Sequence, residues 1–339
     1  EKLKSEEPTI IIDFLVENGL WPFIKQRPYD VIANPNSNPK EIFISGFDSS
    51  PLSADFDFIT KDEKESISKS ISILSKLCSK PINISLRKES QSFLRELNDV
   101  IIHNVSGPHP SGNLSTIINK VCPINKGDII WTLNLPDLII IGKALLEGKF
   151  LAERLIALAG SSVSKPKYIK TLIGSNISSF LKLNEKNSRV ISGNVLTGTN
   201  LGSVAHLRYY NNEITAIPEG DDYDLFGWAK PMFDKFSVSR ALTFSWLFPN
   251  KKYDLNTNTN GEHRAFVVTG SFEEVFPLDI YPMQILKACM YKDLDEMEAL
   301  GMYEVSPEDF ALTEFICVSK QPHQNIIREG LDLMKKEIG

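Results

Sequence analysis

Cysteine is scarce in this chain of 339 residues. The four present, Cys78, Cys122, Cys289 and Cys317, stand far apart, with no C-x-x-C and no close Cys/His pair. That spacing excludes a zinc knuckle and the cysteine runs that ligate iron–sulfur clusters, and it suits reduced thiols packed as small apolar side chains. Histidine is nearly as rare. His103, His109, His206, His263 and His323 form no H-x-x-H or H-E-x-x-H pattern, so a hydrolytic metal site has no motif to rest on. Also missing are a GxGxxG or P-loop stretch for phosphate and the G-x-S-x-G elbow of serine hydrolases. There is no excess of positive charge: 37 Lys and Arg face 43 Asp and Glu, a net −6, which argues against nucleic acid as a partner. No apolar run approaches the ~20 residues of a membrane-spanning helix; the best stretch, IIWTLNLPDLIIIG, is broken by Asn134, Pro136 and Asp137. The chain opens on EKLKSEEP with no signal peptide and no initiator Met, which leads us to expect a processed or shortened chain.

What is present is an ordinary globular composition, 42% hydrophobic and 24% charged, long enough for two or three domains. IIIDFLVEN places Ile10, Ile11, Phe14 and Leu15 on one helical face ahead of Gly19. EIFISGF then suits a strand, residues 62 to 79 a helix, INISL a strand, ESQSFLREL a helix and NDVIIHNV a strand. Alternating strand and helix is the pattern of a parallel sheet with crossover helices. GDIIWTLN and ERLIALAG read as further strands around the helical PDLIIIGKALLEG.

Composition changes at SSVSKPKY. Short strands (IKTLIG, RVISG, EITAIPE), a short helix near SNISSFL and Gly/Asn turns follow, the pattern of a small β-grasp-like module. From 219 to 278 the chain is irregular, with RAFVVTG strand-like. Beyond it, residues 283 to 300, SPEDFALTEF with Ser306 as cap and Asp309 three residues on, and NIIREGLDLMKKEI all read as helical. The expected fold is therefore α/β multidomain. It comprises a Rossmann-like domain over 1–160, a β-grasp (SLBB-like) module over 161–218, an irregular β-containing connection over 219–278 and a C-terminal helical domain over 279–339.

The most distinctive stretch is SGPHPSGN, residues 106–113, just past a predicted sheet strand. Ligands of open α/β sheets bind beyond the carboxyl ends of strands. Gly107 and Gly112 leave backbone N–H groups accessible, while Pro108 and Pro110 each remove one, so the loop is either a binding loop or a rigid bend. His109 is the histidine best placed for function, whereas His103, flanked by apolar strand residues, suits a structural role. FGW, Phe226 to Trp228, sets two aromatics beside a glycine in a polar loop, either under a domain interface or open to a partner. EGDDYD lacks the ligand spacing of a calcium loop. In NTNTNGEHRAF, Arg264 could grip an anion, although a structural turn suits that composition better.

SGPHPSGN, DIIWTLN with DLIIIGK, ERLIALAG, RVISGNVLTG, EGDDYDLFGW, KFSVSRA, NTNTNGEHRAFVVTGSFEEVFPLDIYPMQILK and REGLDLMKKE, in that order, resemble the NqrA family of sodium-translocating NADH:quinone oxidoreductase subunits. The likeness is strong from about residue 100 onward and looser before it. Members of that family are longer at the front by roughly a hundred residues of glycine-rich β structure. The resemblance implies a peripheral subunit on the cytoplasmic face of a bacterial inner-membrane complex, in contact with its membrane subunits and associated with quinone reduction. It implies no redox cofactor on this chain, since flavins, iron–sulfur centres and the NADH site belong to other subunits, and ubiquinone is a possible substrate. Many family members carry two histidines shortly after the Gly/Pro loop where this chain has Ile117 and Asn119, so no catalytic residue is assigned and the isolated chain is not expected to be catalytic. His109, Pro110, Gly112, Asn113, Phe226 and Trp228 are the candidates for quinone or partner contact. Two other readings stay open: a flavin- or nicotinamide-binding subunit like its distant fold relative in respiratory complex I, and a purely structural docking scaffold.

Overall fold

The computed structural model describes residues 3–97, 99–202, 205–220, 225–227, 233, 235–240, 245–267 and 270–339. Helix α1 (Pro8–Glu17) buries Ile11, Phe14 and Leu15. Gly19, at φ +69°, closes it. Gly19 N–H donates to the Val16 carbonyl and Leu20 N–H to that of Leu15, the paired bonds of a left-handed glycine cap. Two short strands, β1 (Lys25–Arg27) and β2 (Val31–Ile32), come next. The fully buried β3 (Glu41–Ser45) then leads through the short α2 (Phe56–Thr60) and α3 (Lys64–Leu74) to β4 (Ile82–Arg87). After β4 the expected helix is a single 3-10 turn, Phe93–Glu96, and the chain continues into β5 (Val100–Val105), α4 (Leu114–Val121), β6 (Ile130–Asn134) and α5 (Leu135–Glu147).

These strands form one six-stranded sheet in the order β2-β1-β6-β3-β4-β5. β6, β3, β4 and β5 run parallel, and β1 and β2 add an antiparallel edge. Strand order reverses at β3, whose neighbours β4 and β6 lie on opposite sides of it, so the loops after β3, β4 and β5 gather at the end of the sheet where such folds bind ligands. The apolar stretch that most resembled a membrane segment is β6 plus α5, and α5 is buried almost all round. Among the described residues no helix is long and apolar enough to cross a membrane.

A second sheet has the order β10-β9-β11-β7-β8, from β7 (Glu153–Ala159), β8 (Lys167–Leu172), β9 (Ser188–Ser192), β10 (Thr199–Asn200) and β11 (Glu213–Pro218). ERLIALA, read as a strand of the first domain, is β7 and sits inside this second sheet, parallel to β11. The module therefore starts ahead of the expected boundary at 160. Ile156, Leu158, Ile177, Leu207 and Ile214 fill its own small core.

Helices α6 (Pro282–Tyr291), α7 (Leu294–Ala299), α8 (Ala311–Ile316) and α9 (His323–Ile338) end the chain. The stretch read as one helix over 283–300 is two, because Lys292 takes a left-handed conformation between them. The C-terminal helices share one apolar core with Leu114, Ile117, Ile118 and Cys122 of the α4 region and with Phe43 and Ile130 of the first sheet. In RAFVVTG, expected as a strand, residues 264–267 form none and Val268 and Thr269 lie outside the described residues; Arg264 N–H instead donates to the Ser319 carbonyl at 2.9 Å.

Candidate functional site

Two loops meet at the carboxyl end of the first sheet. The one after β3 carries Gly46 to Ala54, and the one after β5 is SGPHPSGN. Ser49 joins them: its Oγ accepts from Gly112 N–H at 2.8 Å and lies 3.0 Å from His109 Nδ1. The arrangement that leaves no hydroxyl proton idle has Ser49 donate to Nδ1, which puts the ring proton on Nε2. Nε2 is buried and has no hydrogen-bond partner in the chain. Burial holds His109 below the ordinary imidazole range, against the opposing pull of the Asp48 and Asp309 carboxylates, so the ring is neutral at pH 7. A Cβ on Gly112 would lie 2.8 Å from both Ser49 N and Ser49 Oγ, which is why glycine stands there.

The C-terminal domain closes over the same loop. Asn113 Nδ2 donates to Asp309 Oδ1 at 3.1 Å, and Asp309 Oδ2 accepts from the Ser306 N–H and hydroxyl at 2.8 Å each. The helix-starting Ser306/Asp309 pair is thus also a clasp on the sheet-end loop. Pro110 and Gly112 are buried and His109 and Asn113 half-buried, so these four residues line an internal junction between the sheet-end loop and the C-terminal domain. Ile117 is buried in the shared core, and Asn119 Nδ2 donates to Glu304 Oε2 at 2.7 Å; both positions face the C-terminal domain.

An open cavity of about 340 Å³ lies on the Asp48 side, lined by residues that motif reading did not select, among them Phe47, Asp48, Asp57, Arg87, Glu89 and Ser90. Two backbone donors of the β3 loop beside it are engaged by the chain's own acidic side chains. Asp48 Oδ1 accepts from Ser50 N–H at 2.7 Å, and Ala54 N–H donates to Glu213 Oε2 at 2.7 Å, across from β11 of the second sheet. Burial, with Asp48 adding repulsion, pushes the Glu213 carboxyl up to about 8. A pyrophosphate would have to displace two acidic groups to reach these amides, the reverse of a glycine-rich phosphate cradle.

Phe226 is exposed with φ +54° and is not among the residues lining that cavity, and Trp228 lies outside the described residues, as do Asp221–Asp224 of EGDDYD. His103 takes a structural place: Nε2 is 2.9 Å from Asn83 Oδ1, and Asn83 Nδ2 donates to Glu41. All four cysteines are free thiols, three of them buried. Among the described residues no group of three or more His, Cys, Asp or Glu is gathered as a metal ion would need. Ser49, Asp309 and Glu213 are the residues that sequence reasoning missed. Only the Ser306-x-x-Asp309 capping pattern left a trace in the sequence, and it spoke of a helix start.

Residues 7–150 match the family described as the NqrA second alpha/beta domain, and residues 155–202 the one described as the NQRA C-terminal domain. The chain is 35% identical over 326 residues to the NqrA subunit of the Na+-translocating NADH-quinone reductase of Neisseria meningitidis serogroup B, covering 95% of this chain and 73% of that protein. It is 35% identical over 344 residues to the corresponding subunit of Vibrio parahaemolyticus, covering 99% and 76%. A solved structure of an NAD+-reducing [NiFe]-hydrogenase in the H2-reduced state has a chain similar in fold, with a TM-score of 0.50 at 11% identity; the match covers 99% of this chain and 64%, less than two thirds, of that one. With similarity to its curated relatives running along almost its whole length, the chain belongs to the NqrA family of Na+-translocating NADH-quinone reductase subunits.

Proposed function

We propose that this chain is the peripheral NqrA subunit of a sodium-pumping NADH:quinone oxidoreductase on the cytoplasmic face of the membrane. In this reading it contributes to assembly and to quinone accommodation and holds no redox cofactor of its own. The observation that carries the reading is the occupation of the sheet-end amides of Ser50, Ala54 and Gly112 by Asp48, Glu213 and Ser49. A fold of the nucleotide-binding type whose sheet-end amides are engaged by two carboxyl groups and a hydroxyl keeps its architecture while losing its anion site.

For quinone, the relevant group is the neutral His109 with its buried Nε2–H. A flat, uncharged ring needs an apolar wall and one or two hydrogen-bond donors for its carbonyls, and His109 supplies a donor with no protein acceptor. Phe226 and Trp228 are assigned to the apolar contact. A soluble ubiquinone analogue is expected to bind the chain saturably, and His109→Phe, which keeps a flat ring but removes the N–H, and Trp228→Ala are each expected to weaken it by about tenfold or more. Linear, non-saturating uptake of the analogue by the wild type would refute the quinone part of the reading. Saturable binding unchanged in both variants would place the site elsewhere.

A further inference from the structure

Between residues 225 and 255 the chain combines two side-chain types that seldom share a short stretch. It holds eight aromatics and five Lys or Arg against two Asp, in a protein of net charge −6. The described part of this segment presents its apolar groups outward. On the 3-10 turn Ser245–Leu247 and the residue after it, Trp246, Leu247 and Phe248 are 62%, 51% and 62% exposed. Phe233, 65% exposed, stands beside them, since Lys251 Nζ donates to the Phe233 carbonyl at 2.6 Å. The segment is held to the fold from beneath: Phe236 packs against Tyr253 at 5.5 Å and against Phe315 of α8 at 5.8 Å between ring centroids. Lys251 and Lys252 follow the apolar tip after Pro249 and Asn250.

Exposed apolar groups in such density mark a contact surface, and their layout indicates its kind. A helix meant for a protein groove spaces its anchors at three and four residues. Here three successive large apolar groups leave one turn, with cations at its base, which suits immersion in a fluid layer whose surface is anionic. We infer that the Trp246–Phe248 turn contacts an anionic phospholipid bilayer, its aromatic rings entering the headgroup boundary and Lys251 and Lys252 lying at the level of the phosphates. This inference does not depend on quinone binding at His109.

The test uses the full chain with large vesicles containing phosphatidylglycerol and with vesicles of phosphatidylcholine alone. The chain is expected to cosediment with the anionic vesicles, with binding weakened about tenfold or more by salt, by Lys251→Gln with Lys252→Gln, and by Trp246→Ser with Phe248→Ser. Far-ultraviolet circular dichroism and thermal midpoint should stay unchanged in both double variants. Brominated lipid should quench wild-type tryptophan emission and fail to quench the Trp246→Ser variant. Absence of binding to anionic vesicles, equal binding to both vesicle types, or wild-type binding by the double variants would overturn the inference. So would loss of co-purification with membrane-embedded subunits while vesicle binding persists, a result that would assign the turn to a protein partner.

Discussion

Arg154 of β7 donates to the Asp137 carboxylate of α5 at 2.6 Å, with the two side chains only 2% and 1% exposed. The guanidinium also reaches the Asn212 side chain and the Tyr209 carbonyl. One buried ion pair therefore fastens the first sheet's last helix to the second sheet.

A charge left alone at that depth is costly. Arg154→Met is expected to destabilise the protein by ~3–5 kcal/mol in urea unfolding, because Asp137 loses its partner. Combining it with Asp137→Leu should cost less than the sum of the two single changes. Additive losses would show that the pair is not coupled.

Glu213 makes stability depend on pH in a defined direction. Its carboxyl rises from 4.5 to about 8 on folding, so the folded state holds the proton more tightly. The contribution is fully present below pH 4.5 and is lost as pH rises through about 8, at up to ~1.4 kcal/mol per pH unit. Glu213→Gln keeps an acceptor for Ala54 N–H and carries no charge. The variant should show a flatter profile of thermal midpoint against pH and should exceed wild type at pH 9. A profile parallel to that of wild type would contradict the assignment.

Gly112 is the point where the two loops touch. Gly112→Ala drives a methyl group onto Ser49 N and Oγ, and the expected cost is ~1–3 kcal/mol. The 15N resonances of His109 should shift as its bond to Ser49 breaks. An unchanged His109 spectrum would mean that Ser49 does not hold the ring.

Much of this architecture was legible in the sequence. The Ile/Phe spacing and Gly19 of α1, the β-rich runs of β3, β4 and β5, and the Ser306–Asp309 start all appear where local pattern places them. Strand character records burial and not partnership, so ERLIALA was readable as a strand but its place beside β11 was not. RAFVVTG has the β-branched content of a strand, yet residues 264–267 form none with any described residue, and propensity alone does not make one. The loop at 106–113 announced itself through glycine and proline. Its partners Ser49 and Asp309 lie 60 and 196 residues from His109 and Asn113 respectively, and no local pattern reports contacts over such separations.

The central claim is that the sheet end of this fold has exchanged an anion site for one suited to an uncharged ring. Parallel calorimetric titrations of the purified chain with a soluble ubiquinone analogue, FMN and NADH test it most directly. The account predicts saturable heat with the quinone analogue and none with the other two; stoichiometric, saturable binding of FMN or NADH would contradict it.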